Sequence, residues 1–318
     1  MNLLNFQLLL GNDILTNFVD NMDVYFIMIV ALAFLAIGDL VVGVSNDAVN
    51  FLNSALGSKA ISVRKIMILA SLGVLVGSVF SSGMMEVARK GIFNPEMLLF
   101  SEIMIIFMAV MITDILLLDF FNTLGLPTST TVSIVFELLG AAVAVSLIKI
   151  SGLGSEFGDL VNYINVEKAS QIILGILLSV FIAFSIGALV QFIARTLLSY
   201  NYEQKSKWVG SVFGGVALTS ISYFILMKGI KGTSFAKESY DLLDGATISS
   251  FLETEVFMIS LISFVLLSLI SYILIFSFRV NIYKLIIGVG TFSLALAFAG
   301  NDLVNFIGVP IAAWQSYE

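Results

Sequence analysis

A chain of 318 residues that is 59% hydrophobic and 12% charged, with a mean hydropathy of +1.05, needs lipid as its solvent. Its net charge of −7 leaves no basic stripe to neutralise phosphodiesters, which excludes a nucleic-acid surface. With neither Cys nor His, it is also barred from thiol chemistry, disulfides, Cys/His metal sites, Ser-His-Asp triads and imidazole pH switches.

In chain order, residues 1–22 form an acidic lead-in carrying Asp13 and Asp20, with an amphipathic stretch over 2–19 suited to lie at an interface. No Lys or Arg precedes Lys59, so a cleavable signal peptide is not expected. Eight apolar segments follow, near 25–44, 66–82, 97–121, 129–148, 169–198, 208–227, 256–278 and 285–300. All are expected to be helices, because an isolated strand cannot satisfy its backbone in lipid. Lys59, Arg64, Lys65, Arg195, Lys205, Lys207, Arg279 and Lys284 fall in loops that share one side if every segment crosses. By the positive-inside rule that side is cytoplasmic, which puts the N-terminus outside a multi-pass protein of the plasma or bacterial inner membrane. The expected division is a first transmembrane repeat over 23–165, a central transmembrane region over 166–283 with a soluble loop at 228–255, and the start of a second, inverted repeat over 284–318.

The second repeat is inferred from a recurring motif. Asn46-Asp47-Ala48-Val49-Asn50-Phe51-Leu52 returns as Asn301-Asp302-Leu303-Val304-Asn305-Phe306-Ile307, so both read N-D-x-V-N-F-[L/I]. The copies lie on the first and eighth segments and therefore run in opposite directions, as in inverted-repeat transporters. Small or polar residues before each copy (Gly43 and Ser45; Gly300) predict broken helices near 45–47 and 300–302, where a half-helix N-terminus can face an anion. Asp47 and Asp302 are costly in lipid unless they face a polar cavity or a cation, and Asn50 and Asn305 add amide groups on the same helical faces. The alternative is a pair of ordinary Asn-capped interfacial loops.

A second constellation is Gly125-Leu126-Pro127-Thr128-Ser129-Thr130-Thr131. Gly-x-Pro ends one helix, and the hydroxyls of Ser129, Thr130 and Thr131 gather where the next begins, a place that holds an oxyanion without formal positive charge. Segments three and four are compatible with a re-entrant hairpin tipped by this turn, although a plain N-cap cluster has the same spelling. Asp39, Asp114, Asp119 and Glu137 are further acids in apolar surroundings, candidates for cation binding or for polar contacts between helices.

On these residues the chain resembles the inorganic phosphate transporter family, whose members carry a GANDVANA-like signature in each of two inverted repeats and a P-x-S-T-T-H turn. The resemblance implies an all-α integral membrane fold and cation-coupled symport of inorganic phosphate by alternating access. It places Asn46, Asp47, Asn50, Ser129, Thr130, Thr131, Asn301, Asp302 and Asn305 around phosphate. Sodium would be held by Asp47, Asn50, Asp302, Asn305 and Ser129. Sodium is the favoured coupling ion, since the motifs contain two aspartates and no Lys or Arg to offset the anion; protons are the alternative, and no other cofactor is expected. Two departures stand out: the family's His is Val132 here, and no second P-x-S-T-T turn occurs before Glu318, so a fragment of a longer member is expected. The partners expected are phosphate, sodium and the bilayer, with a homodimer allowed. A sulfate permease of the same fold is the nearest competitor. An intramembrane aspartyl protease using Asp39 and Asp114 is a distant one, since Gly38-Asp39 lacks the Gly-x-Gly-Asp context and the reading leaves the repeat unexplained.

Overall fold

The computed structural model describes residues 24–79, 91–154, 156–198, 207–227, 236, 238–240 and 246–317. The acidic lead-in and most of the expected soluble loop lie outside them. Among the described residues the chain is helical apart from short turns and two isolated bridges, Phe93 with Ile164 and Ser239 with Thr247. The helices are α1 Val24–Ser58, α2 Val63–Val79, α3 Phe100–Leu124, α4 Thr130–Leu153, the short α5 Leu160–Tyr163, α6 Val166–Leu198, α7 Lys207–Ile225, the short α8 Ile248–Thr254, α9 Val256–Phe276, α10 Ile282–Asn301 and α11 Leu303–Tyr317. Seven candidate spans are long and apolar enough to cross a membrane, α10 and α11 counting as one. The remaining expected segment, α2, is described over 17 residues. Each of the eight apolar runs thus carries a helix among its described residues.

The expected break in the first helix is absent. α1 continues for 35 residues through Ser45, Asn46 and Asp47, about 52 Å at 1.5 Å per residue. The polar side chains that would have capped a new start are engaged elsewhere: Ser45 Oγ donates back to Val41 O at 2.8 Å, and Asn46 reaches residues around 122–128. The second copy does interrupt its helix. α10 ends at Asn301, Asp302 donates its N–H to Phe298 O at 2.8 Å, and α11 restarts at Leu303.

Close contacts divide the chain into two units. The first holds the described residues of Met1–Asn46, Met85–Ala169 and Asn305–Glu318; the second holds those of Asp47–Met84 and Ser170–Val304. Two of the four chain crossings between the units, after Asn46 and before Asn305, fall inside the repeated motif.

In the first unit α3 and α4 form a hairpin. Gly125 ends α3 at φ 69°, a left-handed conformation that glycine adopts without a Cβ penalty, and its N–H closes onto Asn122 O and Phe121 O. Ser129 begins α4 by accepting Val132 N–H at 3.4 Å. In the same unit the fully buried ring of Phe306 on α11 lies where a Cβ on Gly43 would stand.

In the second unit α2 packs on α10 through Gly73 and Gly77, one turn apart, whose missing side chains admit the backbone of Phe292 and Leu296 and the methyls of Ala295 and Ala299. Gly214 of α7 likewise accommodates Ser271 of α9 and Ile282 of α10. A methyl at Gly77 would meet the Leu296 carbonyl oxygen and come within 2.8 Å of Ala299 Cβ. Neither can retreat without moving a helix, so Gly77→Ala is expected to destabilise by at least about 1–3 kcal/mol, the range for overpacking. Gly57→Ala, in open space, is expected to be neutral or slightly stabilising. Thermal denaturation of the two variants in detergent separates these outcomes.

Candidate functional site

The motif residues assemble within each unit. In the first, Asn46 is 5% exposed and ties the end of α3 to the turn. Its Nδ2 donates to Asn122 Oδ1 at 3.0 Å and to Leu126 O at 3.1 Å, while its Oδ1 accepts Thr128 N–H at 2.7 Å. Asn122 in turn donates to Val42 O at 2.9 Å. One amide side chain therefore satisfies Asn122 at the end of α3 and two backbone groups of the Gly-x-Pro turn. From the second motif, Asn305 Nδ2 donates to Thr131 Oγ1 at 2.9 Å. The turn is thus held by an Asn from each copy. Thr130 is buried, Thr131 half-buried and Ser129 exposed, with its hydroxyl occupied in capping α4.

The second unit gathers the carboxylates of the motifs. Asp47 is 3% exposed and accepts from Asn50 Nδ2 at 3.2 Å. Asn50 and Asp302, one from each copy, line a cavity of about 240 Å³ with Phe51, Phe224 and Phe298. Oxygen atoms in such a mouth suit a hard monovalent cation. Of the five residues expected around sodium, Asp47, Asn50 and Asp302 belong to this unit, and Ser129 and Asn305 belong to the other. The side chain of Asn301 lies outside the described residues.

Packing around the motifs is reciprocal. Phe306, five residues past Asn301, fills the space over Gly43, three residues before Asn46. Phe51, five past Asn46, stacks at 5.2 Å on Phe298, three before Asn301. Each copy thus inserts its aromatic residue at the equivalent position of the other. Asn305→Ala removes one amide–hydroxyl bond and is expected to cost about 1 kcal/mol of stability, read as a lowered melting temperature in detergent.

Sequence reasoning singled out the asparagines and hydroxyls but not Asn122 or the Leu126 carbonyl. A lone Asn in the last turn of a helix carries no signal until its partner is known. Asp39 and Asp114 do come together, and both are wholly buried.

Helices apolar enough for several membrane crossings, with Asn46 and Asn305 bonded to a hydroxyl-rich turn, define a multi-pass helical membrane protein. The chain belongs to the phosphate transporter family, whose sequence profile matches residues 43–318, and that family consists of transporters and not of enzymes. Among similar proteins, one from Thermococcus kodakarensis named as a phosphate permease is 25% identical over 198 residues, covering 58% of this chain and 44% of its own length. Another so named, from Helicobacter pylori, is 26% identical over 191 residues, covering 59% and 33%. The chain therefore spans less than half the length of these relatives. A solved structure described as the sodium-dependent phosphate transporter aligns with a TM-score of 0.63 and 21% identity over 91% of this chain and 67% of that one, a likeness of fold.

Proposed function

We propose that this chain takes part in cation-coupled symport of inorganic phosphate by alternating access, with sodium as the coupling ion. The observation that carries the reading is the turn held by Asn46 and Asn305. It presents hydroxyls and the start of α4 to an anion, and the first N–H groups of a helix have no acceptor within that helix. Asp47, Asn50 and Asp302 supply oxygen ligands for sodium. The names of the relatives support phosphate as cargo, and that of the solved structure supports sodium. The reciprocal packing of the two motifs supports an inverted repeat, and the loop charges support a cytoplasmic face for the Lys/Arg-rich loops with the N-terminus outside.

Radiolabelled phosphate uptake into proteoliposomes tests the reading. Saturable uptake driven by an inward sodium gradient and resistant to excess sulfate is expected. Equal competition by sulfate would make the site a general tetrahedral-oxyanion site, and uptake unchanged when choline replaces sodium would remove the sodium role.

A further inference from the structure

Asp39 on α1 is wholly buried, and neither of its carboxyl oxygens meets a hydrogen-bond donor. It lies beside Asp114 on α3, equally buried and near enough that one proton between them makes a hydrogen bond. Asp114 Oδ1 is 2.6 Å from Ser133 Oγ on α4, and the same Oγ is 2.7 Å from Glu137 Oε1. The second oxygens of Asp114 and Glu137 also lack donors. All four residues belong to the first unit.

Counting hydrogens decides what this cluster holds. Ser133 has one hydroxyl hydrogen and can donate it to only one of its two neighbours. The other close oxygen pair, and the Asp39–Asp114 pair, would set lone pairs against each other if all three acids were ionised. Among the described residues of α1, α3, α4 and α11, no cationic side chain relieves them. The remaining charged residues on α1, α3 and α4 are Asp47, Glu102, Asp119 and Lys149, and α11 has none. Lys149 is paired with Glu102 at 2.8 Å and stands twelve residues beyond Glu137, about 18 Å along the helix. Among the described residues no group of three or more acidic, His or Cys side chains is arranged to hold a metal ion.

We propose that Asp39, Asp114, Glu137 and Ser133 form a proton-holding site that stores two protons. Asp39 donates one to Asp114, Ser133 donates its own hydrogen to Asp114 Oδ1, and Glu137 donates the second to Ser133 Oγ. Every close pair then has one hydrogen, and a single negative charge remains, on Asp114. Glu137 and Ser133 also line a cavity of about 520 Å³ with Thr113 and Thr128, which gives the proton on Glu137 a path toward the turn. On the transport reading above, on which this last step rests, these protons are released and reloaded as phosphate enters and leaves.

Infrared spectroscopy of the purified protein at neutral pH tests the site without requiring transport. Two protonated-carboxyl bands that shift in heavy water are expected. Asp39→Asn is expected to abolish one and Glu137→Gln the other; both amides can donate as the carboxyls do, and elution as for wild type checks folding. Absence of such bands in the wild type, or bands untouched in both folded variants, would overturn the proposal. So would bands that vanish on adding sodium, which would make the cluster a cation site. On adding phosphate, a change in band intensity supports release, and constant bands with phosphate demonstrably bound overturn that step. Intact bands in a protein that binds no phosphate would instead sink the transport reading and leave the proton site standing.

Discussion

Replacing Asn46 with Asp is expected to abolish high-affinity phosphate binding and to lower stability more than any other single change in the motifs. The wild-type amide gives two hydrogen bonds and takes one, joining Asn122, Leu126 and Thr128. An ionised carboxylate keeps the bond from Thr128 N–H but has no hydrogen for the other two oxygens. Each contact becomes an oxygen facing an oxygen at a part-buried place, at no more than about 1–3 kcal/mol per unsatisfied group, or at most roughly 2–6 kcal/mol together. The substitution also puts a negative charge beside the hydroxyls proposed to receive an anion. Asn46→Ala loses the same bonds without the charge, so it is expected to match the loss of melting temperature more closely than the loss of phosphate affinity. Equilibrium binding and thermal denaturation in detergent measure the two effects separately. An Asn46→Asp protein with wild-type melting and affinity would show that the turn does not depend on this side chain.

Phosphate affinity is expected to rise when sodium replaces choline at fixed pH, and Asp302→Asn is expected to reduce that rise toward unity. The argument is electrostatic. On the proposed reading, a phosphate anion brought close to the motif carboxylates is repelled by several kcal/mol at an effective dielectric near 20, whereas a helix dipole offsets about 0.3–1 kcal/mol. A bound cation would remove the conflict, and Asp302 shares its cavity with the amide of Asn50, which together offer it a carboxylate and an amide oxygen. Linkage then requires phosphate to tighten sodium by the same factor, within the roughly 5–150-fold typical of coupled sites. Asp302→Asn keeps the side chain's shape and an acceptor oxygen, so it is expected to fold normally. Titrating phosphate at several sodium concentrations, and sodium at several phosphate concentrations, measures both halves of the cycle. Affinity that ignores sodium but climbs steeply as pH falls would transfer the coupling role to protons.

The sequence by itself determined the solvent and the helices, and it singled out the asparagines and hydroxyls of the motifs, though not Asn122. Long apolar runs force helices because lipid offers the backbone no other partner, and each of the eight carries one among its described residues. The N-D-x-V-N-F repeat was legible because it is a local string, and so was the Pro-Thr-Ser-Thr-Thr turn. Tertiary structure decided what those residues do. A helix break at Ser45–Asp47 follows from local capping rules, yet Asn46 spends its amide on groups 76 to 82 residues away, and α1 runs on. Gly73 and Gly77 read as two small residues until α10 lies against them. Asp39, Asp114 and Glu137 read as three isolated acids, because the serine hydroxyl that joins two of them and the contact that joins the third exist only once α1, α3 and α4 pack together. The physical reason is common to all three cases. Hydrogen bonds and close packing are short-ranged in space, and in a helical bundle neighbours in space are set by which faces meet, a property that no single segment carries.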